Sequence, residues 1–329
     1  APQLFKKEIE NAVKDVTKEF ITTPVSFSDL NVSFFKNFPQ LSVSLQDLSI
    51  DAPKEFHDLK TVKSQSVDLG IDVFSLFSDQ IQFTELIVNE GDFNVVTDSL
   101  GNFSFAIFKT SDEPSSTDSS FKLALNKIKV KNTHVLYQDD ASKIKIETNN
   151  TNISGDVQVT DKFINFETET DIHSLFFGLD KSVLVDRKPL KGTVNTKVNL
   201  DPVSVEFNEN KLLLANLPLS ILGKVAMLDK GIDFDLNVKS ENASLENLFS
   251  LVPADYQKWY EGMTFTGKSN IDLLLKGVMQ DSISNPSLNI KLGIVNGTVA
   301  AKQFEKAPVK NLNTTTELNM PQLNPDSLH

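Results

Sequence analysis

This sequence of 329 residues contains no cysteine. Disulfide frameworks, thiolate metal sites and cysteine nucleophiles are therefore excluded. Tryptophan and tyrosine are also scarce, with 1 and 3 residues against 24 phenylalanines. The chain thus favours wholly apolar rings over the amphipathic rings that are enriched at protein-recognition surfaces. This composition favours a strongly apolar interior.

Positive charge is in short supply, because 32 basic residues face 44 acidic ones and leave a net charge of −12. Such a chain repels polyanions at long range, so no nucleic-acid partner is expected. No stretch approaches the roughly 20 apolar residues of a transmembrane helix, and no signal-peptide pattern opens the chain. Since the sequence begins at Ala1 without methionine, we expect it to be part of a longer protein.

Motifs of known chemistry are also missing. The histidines His57, His134, His173 and His329 are not spaced as metal ligands. No nucleophile elbow, phosphate loop or dinucleotide fingerprint occurs. We therefore predict no metal, no cofactor and no catalytic residue, and we do not expect an enzyme. A hydrolase that works through an unrecognised pair of carboxylates stays an alternative, but no motif in the sequence supports it.

What is present is an apolar pattern of eight residues that occurs four times, at 25–32, 43–50, 81–88 and 123–130. Each copy alternates as a strand with one buried face does, but two polar residues separate its second and third apolar positions. The buried face would swap sides there unless a β-bulge or bend intervenes. A bend that recurs in the same place indicates a sheet that curls.

Most of the remaining sequence alternates in the same way between turn residues. One apolar face per strand is typical of antiparallel sheets and excludes the doubly wound βαβ folds. We predict a mainly β protein with an elongated, curled antiparallel sheet. Such a sheet forms either a taco-like groove that holds something apolar or an open sandwich packed against itself.

Two helical segments are predicted beside the sheet. Residues 3–21 have apolar positions at helical spacing and mixed charges opposite, so they form an amphipathic helix that either caps the β core or lies on a membrane surface. Residues 244–262 form a short helical insertion, with Ser244 as its N-cap and Pro253 as a kink.

The predicted domain organisation has three parts. Residues 1–22 form the helix, residues 23–188 a first β region, and residues 189–329 a second β region that contains the insertion. Within the first β region, the segment 111–120 has no apolar residue and is expected to be a mobile loop.

The candidate lipid-groove residues are the inward-facing apolar positions of the repeats and of the strands beside them. The alternative is that these side chains form an ordinary sandwich core, since most alternating apolar residues do. The candidates are Phe27, Leu45, Val67, Leu69, Ile71, Val73, Phe83, Phe103, Phe105 and Leu125.

Several segments, in this order, resemble the AsmA family of Gram-negative envelope proteins, whose longer members include TamB-like and YhdP-like proteins. The high asparagine and lysine content is similar to that of Bacteroidetes members. The segments are the N-terminal helix with 25–35, and then 39–53, 67–77, 81–88, 98–103, 128–139, 239–249 and 285–297.

This resemblance implies an inner-membrane anchor before Ala1, a periplasmic body with an apolar concave face, and a role in outer-membrane biogenesis. We therefore expect a non-enzymatic periplasmic protein, tethered to the inner membrane, that binds or conducts phospholipid or another acyl-chain lipid. The alternative is an envelope structural module with a closed β core, whose partners are other envelope proteins.

Overall fold

The computed structural model divides into two compact units, Ala1–Val159 and Thr160–His329. The predicted loop 111–120 lies outside the residues that the structure describes. The described residues are 10–11, 13–15, 17–18, 21–34, 40–77, 81–109, 121–160, 162–228, 230–252, 258–280, 284–301 and 308–322.

In the residues that the structure describes, unit 1 combines one α-helix with seven strands. The helix, α1, comprises the described residues between 10 and 18, which lie within the predicted helix 3–21. Two short 3-10 helices occupy Lys54–Phe56 and Val73–Phe77. The strands are β1 (Val25–Ser26), β2 (Asp29–Phe34), β3 (Gln40–Asp51), β4 (Lys60–Asp72), β5 (Ile81–Thr97), β6 (Phe121–Asp139) and β7 (Ile144–Val159).

The strands of unit 1 follow one another in the sheet from β3 to β7, while β1 and β2 both pair with β3. All described pairs of this unit are antiparallel except β5 and β6, which run parallel. The predicted antiparallel sheet is thus confirmed for the other described pairs of this unit, and the prediction is wrong for this one pair. The reason is the long connection after Thr97, because parallel neighbours need a crossover rather than a hairpin.

The bulge or bend that the sequence predicts inside the repeats corresponds to backbone irregularities in three of them. In the second repeat, Asp47 adopts a φ of 50°. In the third, the pairing register slips between Phe83 and Glu85, so that Thr84 is the extra residue. In the fourth, the register slips between Leu123 and Lys127. In the second repeat Leu45 and Leu48, which flank the polar pair, contribute to the same buried cluster and therefore share one face.

Unit 2 is an antiparallel meander in which each strand pairs with the next. Its strands reach 19 residues and exceed the short strands that alternation predicted. They are β8 (Phe163–Leu179), β9 (Ser182–Leu200), β10 (Val203–Leu214), β11 (Leu217–Met227), β12 (Ile232–Ser244), β13 (Met263–Met279), β14 (Ser287–Ala301) and β15 (Val309–Met320).

The helical insertion is shorter than predicted. Its helix, α2, spans Leu245–Phe249, and residues 258–262 form turns. Ser244 occupies the N-cap position with an extended backbone, but its side chain makes no capping hydrogen bond. The predicted kink at Pro253 lies outside the described residues. Residue 188, near which a domain boundary is predicted, lies within β9, and the two compact units divide between Val159 and Thr160.

Candidate functional site

The strand registers of unit 2 sort its side chains into two faces, which we call the apolar face and the polar face. The apolar face is best seen in three rows of directly paired residues. The rows are Thr196, Phe207, Gly223, Leu236, Leu275, Leu288 and Met320; Ile221, Val238, Leu273, Ile290 and Leu318; and Val198, Val205, Val225, Phe234 and Gly277. No charged residue occupies these rows.

The polar face of the same strands carries charges of alternating sign. One row of paired residues runs Lys197, Glu206, Lys224, Asp235 and Lys276. Within this row, Nζ of Lys224 lies 3.8 Å from Oε1 of Glu206, and Nζ of Lys276 lies 3.2 Å from Oδ2 of Asp235. Opposite charges on neighbouring strands stabilise the pairing of those strands weakly, and they favour exposure of this face to solvent. The two faces therefore have opposite chemistry.

The apolar face of unit 2 is only partly shielded from solvent. Phe234, Leu236 and Leu273 are partly exposed rather than buried. At one end of the face Val203 is 49% exposed and Met227 is 56% exposed. A second packed layer would bury such side chains. The exposure therefore leaves room for an apolar ligand on this face.

The helix α2 covers one end of this face. It packs against β12 and β13, and its Leu245 is buried. The ring of Phe249 stacks on Phe265 with centroids 3.7 Å apart, and the hydroxyl of Tyr260 donates a hydrogen bond to the carbonyl of Phe249. In the parts of unit 2 that the structure describes, α2 is the only helix. It closes an end of the face rather than its length.

Most candidate groove residues named from the sequence gather beneath the helix of unit 1. Leu45, Ile71 and Phe83 form a buried cluster with Val13 of α1. Phe27, Leu69 and Val73 pack against that cluster, and Val67 pairs with Leu45. Here the helix shields the sheet from water.

The other three candidates lie elsewhere. Phe103 and Phe105 follow β5, with ring centroids 6.4 Å apart, and Phe103 is 41% exposed. Leu125 is partly buried in β6. The structure therefore does not join these residues to the cluster under α1.

Sequence reasoning did not select the apolar face of unit 2 as a candidate site. The signal was present, because 232–238, 271–275 and 288–294 alternate as clearly as the repeats do. Alternation identifies the face of each strand, but it does not show which face lacks a covering layer.

A second candidate is the groove of about 710 Å³ between α1 and the chain that leads into β2. Its lining includes Glu10, Lys14, Lys18 and Asp29. Charged groups lose hydration when an apolar chain covers them, so this groove suits an acyl chain less well than the uncharged rows of unit 2.

Unit 1 carries a small charged network across β5, β6 and β7. His134 contacts Asp92 Oδ1 through Nδ1 at 2.8 Å and Glu147 Oε1 through Nε2 at 3.4 Å. A hydrogen bond from Lys145 is the main reason why the pKa of Glu147 is lowered. The described residues contain no cluster of three ligands suited to a metal ion. The two contacts of His134 in β6 link it to Asp92 of β5 and to Glu147 of β7.

Comparison with known proteins identifies a protein family. The model of the AsmA family matches residues 1–324 of the chain. No curated protein matches it. Among the described residues, no helix is long and apolar enough to span a bilayer.

Proposed function

This chain belongs to the AsmA family, a family of the envelope and of outer-membrane biogenesis, and from that premise we propose that it binds or conducts phospholipid acyl chains along the apolar face of unit 2. The AsmA family is not known as an enzyme family, and the proposed role is non-enzymatic. The observation that carries the proposal is the set of uncharged, partly exposed rows that cross several strands of unit 2.

The dimensions of this face suit an acyl chain. The longest row crosses seven strands, and neighbouring strands lie about 4.8 Å apart, so the row extends over about 29 Å. The acyl chains of one leaflet fill about 15 Å, which is half of the hydrocarbon core. Each methylene that leaves water contributes about 0.8 kcal/mol. A single chain could therefore be held along part of the row or slide along it.

The remaining parts of the proposal concern location. We propose a periplasmic body tethered to the inner membrane by an anchor in the full-length protein, with envelope proteins as further partners. The uncharged face would then meet lipid rather than cytoplasmic ligands.

A structural module with a closed core is the second candidate function. The buried cluster of unit 1 favours it, because Val43, Leu41 and Ile71 are at most 1% exposed and leave no space for a ligand there. The two candidates thus depend on different units, and one experiment can separate them.

The test is mass spectrometry of organic extracts from the purified chain and from two variants. Leu275→Asp places a carboxylate in the longest apolar row, whereas Leu274→Asp places one on the neighbouring position of the polar face, where Leu274 is already 39% exposed. We expect phospholipid near one equivalent in the parent chain and in Leu274→Asp. We expect its loss in Leu275→Asp, with an unchanged circular dichroism spectrum.

A lipid-free extract from the folded parent chain would contradict lipid binding and favour the closed module. Equal lipid in both variants would contradict the assignment to this face. An unrelated β protein purified from the same host gives the background.

A further inference from the structure

Among the strand pairings of the described residues, three contain the same β-bulge, in which two residues of one strand face a single asparagine of the next. One lies in unit 1 and two lie in unit 2. They are Lys131 and Asn132 opposite Asn152, Glu241 and Asn242 opposite Asn270, and Val295 and Asn296 opposite Asn313.

The second bulge residue is left-handed in all three cases. Asn132, Asn242 and Asn296 have φ angles of 49°, 52° and 51°. Asparagine tolerates this region better than other residues that carry a Cβ. The bulge nevertheless takes the backbone N–H of this residue out of the regular ladder, so the N–H needs another acceptor.

The facing asparagine supplies that acceptor. Its Oδ1 accepts a hydrogen bond from the bulge N–H at 3.1 Å for Asn152, at 2.8 Å for Asn270 and at 2.9 Å for Asn313. Because the same bond recurs in three strand pairs with the same geometry, it is a feature of the fold rather than a chance surface contact.

The bulge in β14 decides which side chains of that strand reach the apolar face. In β14, Ile294 lies before the bulge and pairs with Ser269, whereas Val299 lies after it and pairs with Phe265. These two positions are five residues apart, so strict alternation would place them on opposite faces. The extra residue restores both to one face. Loss of the bulge would turn one half of the strand outward.

We infer that Asn152, Asn270 and Asn313 are positioning residues that hold these bulges through their Oδ1 atoms. In this way each asparagine keeps the apolar side chains of both halves of the bulged strand on one face of the sheet, which for Asn270 and Asn313 is the apolar face of unit 2. The part of this inference that concerns lipid rests on the proposed function. The part that concerns the backbone does not.

The test compares Asn270→Ala, Asn270→Asp and Asn237→Ala. Aspartate keeps an oxygen at the accepting position, whereas alanine removes it. Asn237 is the matched control, because it lies in the same strand pair and binds Asp272 Oδ1 through its Nδ2 at 2.7 Å, away from the bulge. The first readout is hydrogen exchange of the Asn242 amide, followed by NMR in the full chain.

We expect exchange of this amide to be at least tenfold faster in Asn270→Ala and unchanged in Asn270→Asp and Asn237→Ala. Unchanged exchange in Asn270→Ala would overturn the inference. Equally fast exchange in the aspartate variant would also overturn it, because an accepting oxygen would then not be what holds the bulge.

The second readout is binding of cis-parinaric acid, a fluorescent fatty acid. We expect the double variant Asn270→Ala/Asn313→Ala to bind at least threefold more weakly than the parent chain, and Asn237→Ala to bind like the parent. Parental affinity in the double variant would overturn the effect on the apolar face. A parent chain that binds no probe would instead contradict the proposed function, and amide exchange would still decide the role of the asparagines.

Discussion

The two units present the same kind of apolar sheet face to different surroundings. In unit 1, α1 lies over β2 to β5 and its Val13 joins the buried cluster of Leu30, Leu45 and Phe83. In unit 2, the described helix α2 covers only the end of β12 and β13. Val43 is fully buried in the first unit, whereas Val238 is partly exposed in the second.

This difference shows that patterning and cover are separate properties of a sheet. Alternation places apolar side chains on one face in both units, because the strand repeat is two residues. Whether that face becomes a core depends on a further element that packs on it. Unit 1 gains stability because its helix covers this face. In unit 2 the face stays available to a ligand, and each Å² of apolar surface that the ligand buries contributes about 25 cal/mol of binding free energy.

The largest expected effect comes from one substitution made in both units. Val43→Asp would bury an unpaired carboxylate and is expected to lower the free energy of unfolding by more than about 4 kcal/mol. Val238→Asp leaves its carboxylate within reach of water, so a loss of about 1–2 kcal/mol is expected. Urea unfolding followed by circular dichroism measures both. Equal losses would mean that the two faces do not differ in cover.

A second substitution uncovers the face of unit 1. Val13→Asp removes the contact between α1 and the cluster and is expected to cost about 2–3 kcal/mol. The exposed face of β2 to β5 should then bind added cis-parinaric acid. Asn11→Asp, on an exposed position of the same helix, is the control and should change neither quantity. Unaltered probe binding in Val13→Asp would show that the helix does not decide ligand access.

Substitutions on the polar face of unit 2 should have small effects. Lys276 and Asp235 are 62% and 60% exposed, so their ion pair is screened by solvent. Lys276→Ala is expected to change the free energy of unfolding by less than about 1 kcal/mol and to leave lipid content unchanged. Lipid loss in this variant, measured by extraction, would indicate that the ligand lies on the polar face.

The smallest effect concerns the turn after β5 in unit 1. The pKa of Asp98 is lowered mainly by the side-chain hydrogen bond from Asn102, at 2.8 Å. A lowered pKa means that this turn is favoured above the ordinary carboxyl pKa and loses that support as pH falls through the folded-state value. We expect the amide signals of Leu100 and Asn102 to move with pH in the parent chain and not in Asp98→Asn. If the amide signals of Leu100 and Asn102 do not move with pH in the parent chain, Asp98 does not support the turn in this way.

The sequence predicted the β class, the helix before the sheet and the irregularities inside the second, third and fourth repeats. It could do so because these features depend on neighbouring residues. The polar pair of the second repeat, for instance, includes the left-handed Asp47. Local spacing is sufficient for such features.

The sequence did not predict the parallel pair of β5 and β6, nor which face lies open. Both depend on contacts between distant residues. Phe83 and Phe234 occur in equally good alternating patterns, yet the first lies beneath α1 and the second lies in an uncovered row. Tertiary packing decides this difference, and alternation carries no signal of it.

The most direct test of the central claim is photo-crosslinking with p-benzoylphenylalanine at three phenylalanine positions in the native host. Phe234 lies on the apolar face of unit 2, Phe83 lies in the covered cluster of unit 1, and Phe163 pairs with Asn199 on the polar face of unit 2. We predict phospholipid adducts at Phe234 and background levels at the other two positions. Adducts at Phe83 or Phe163 but not at Phe234 would contradict the account.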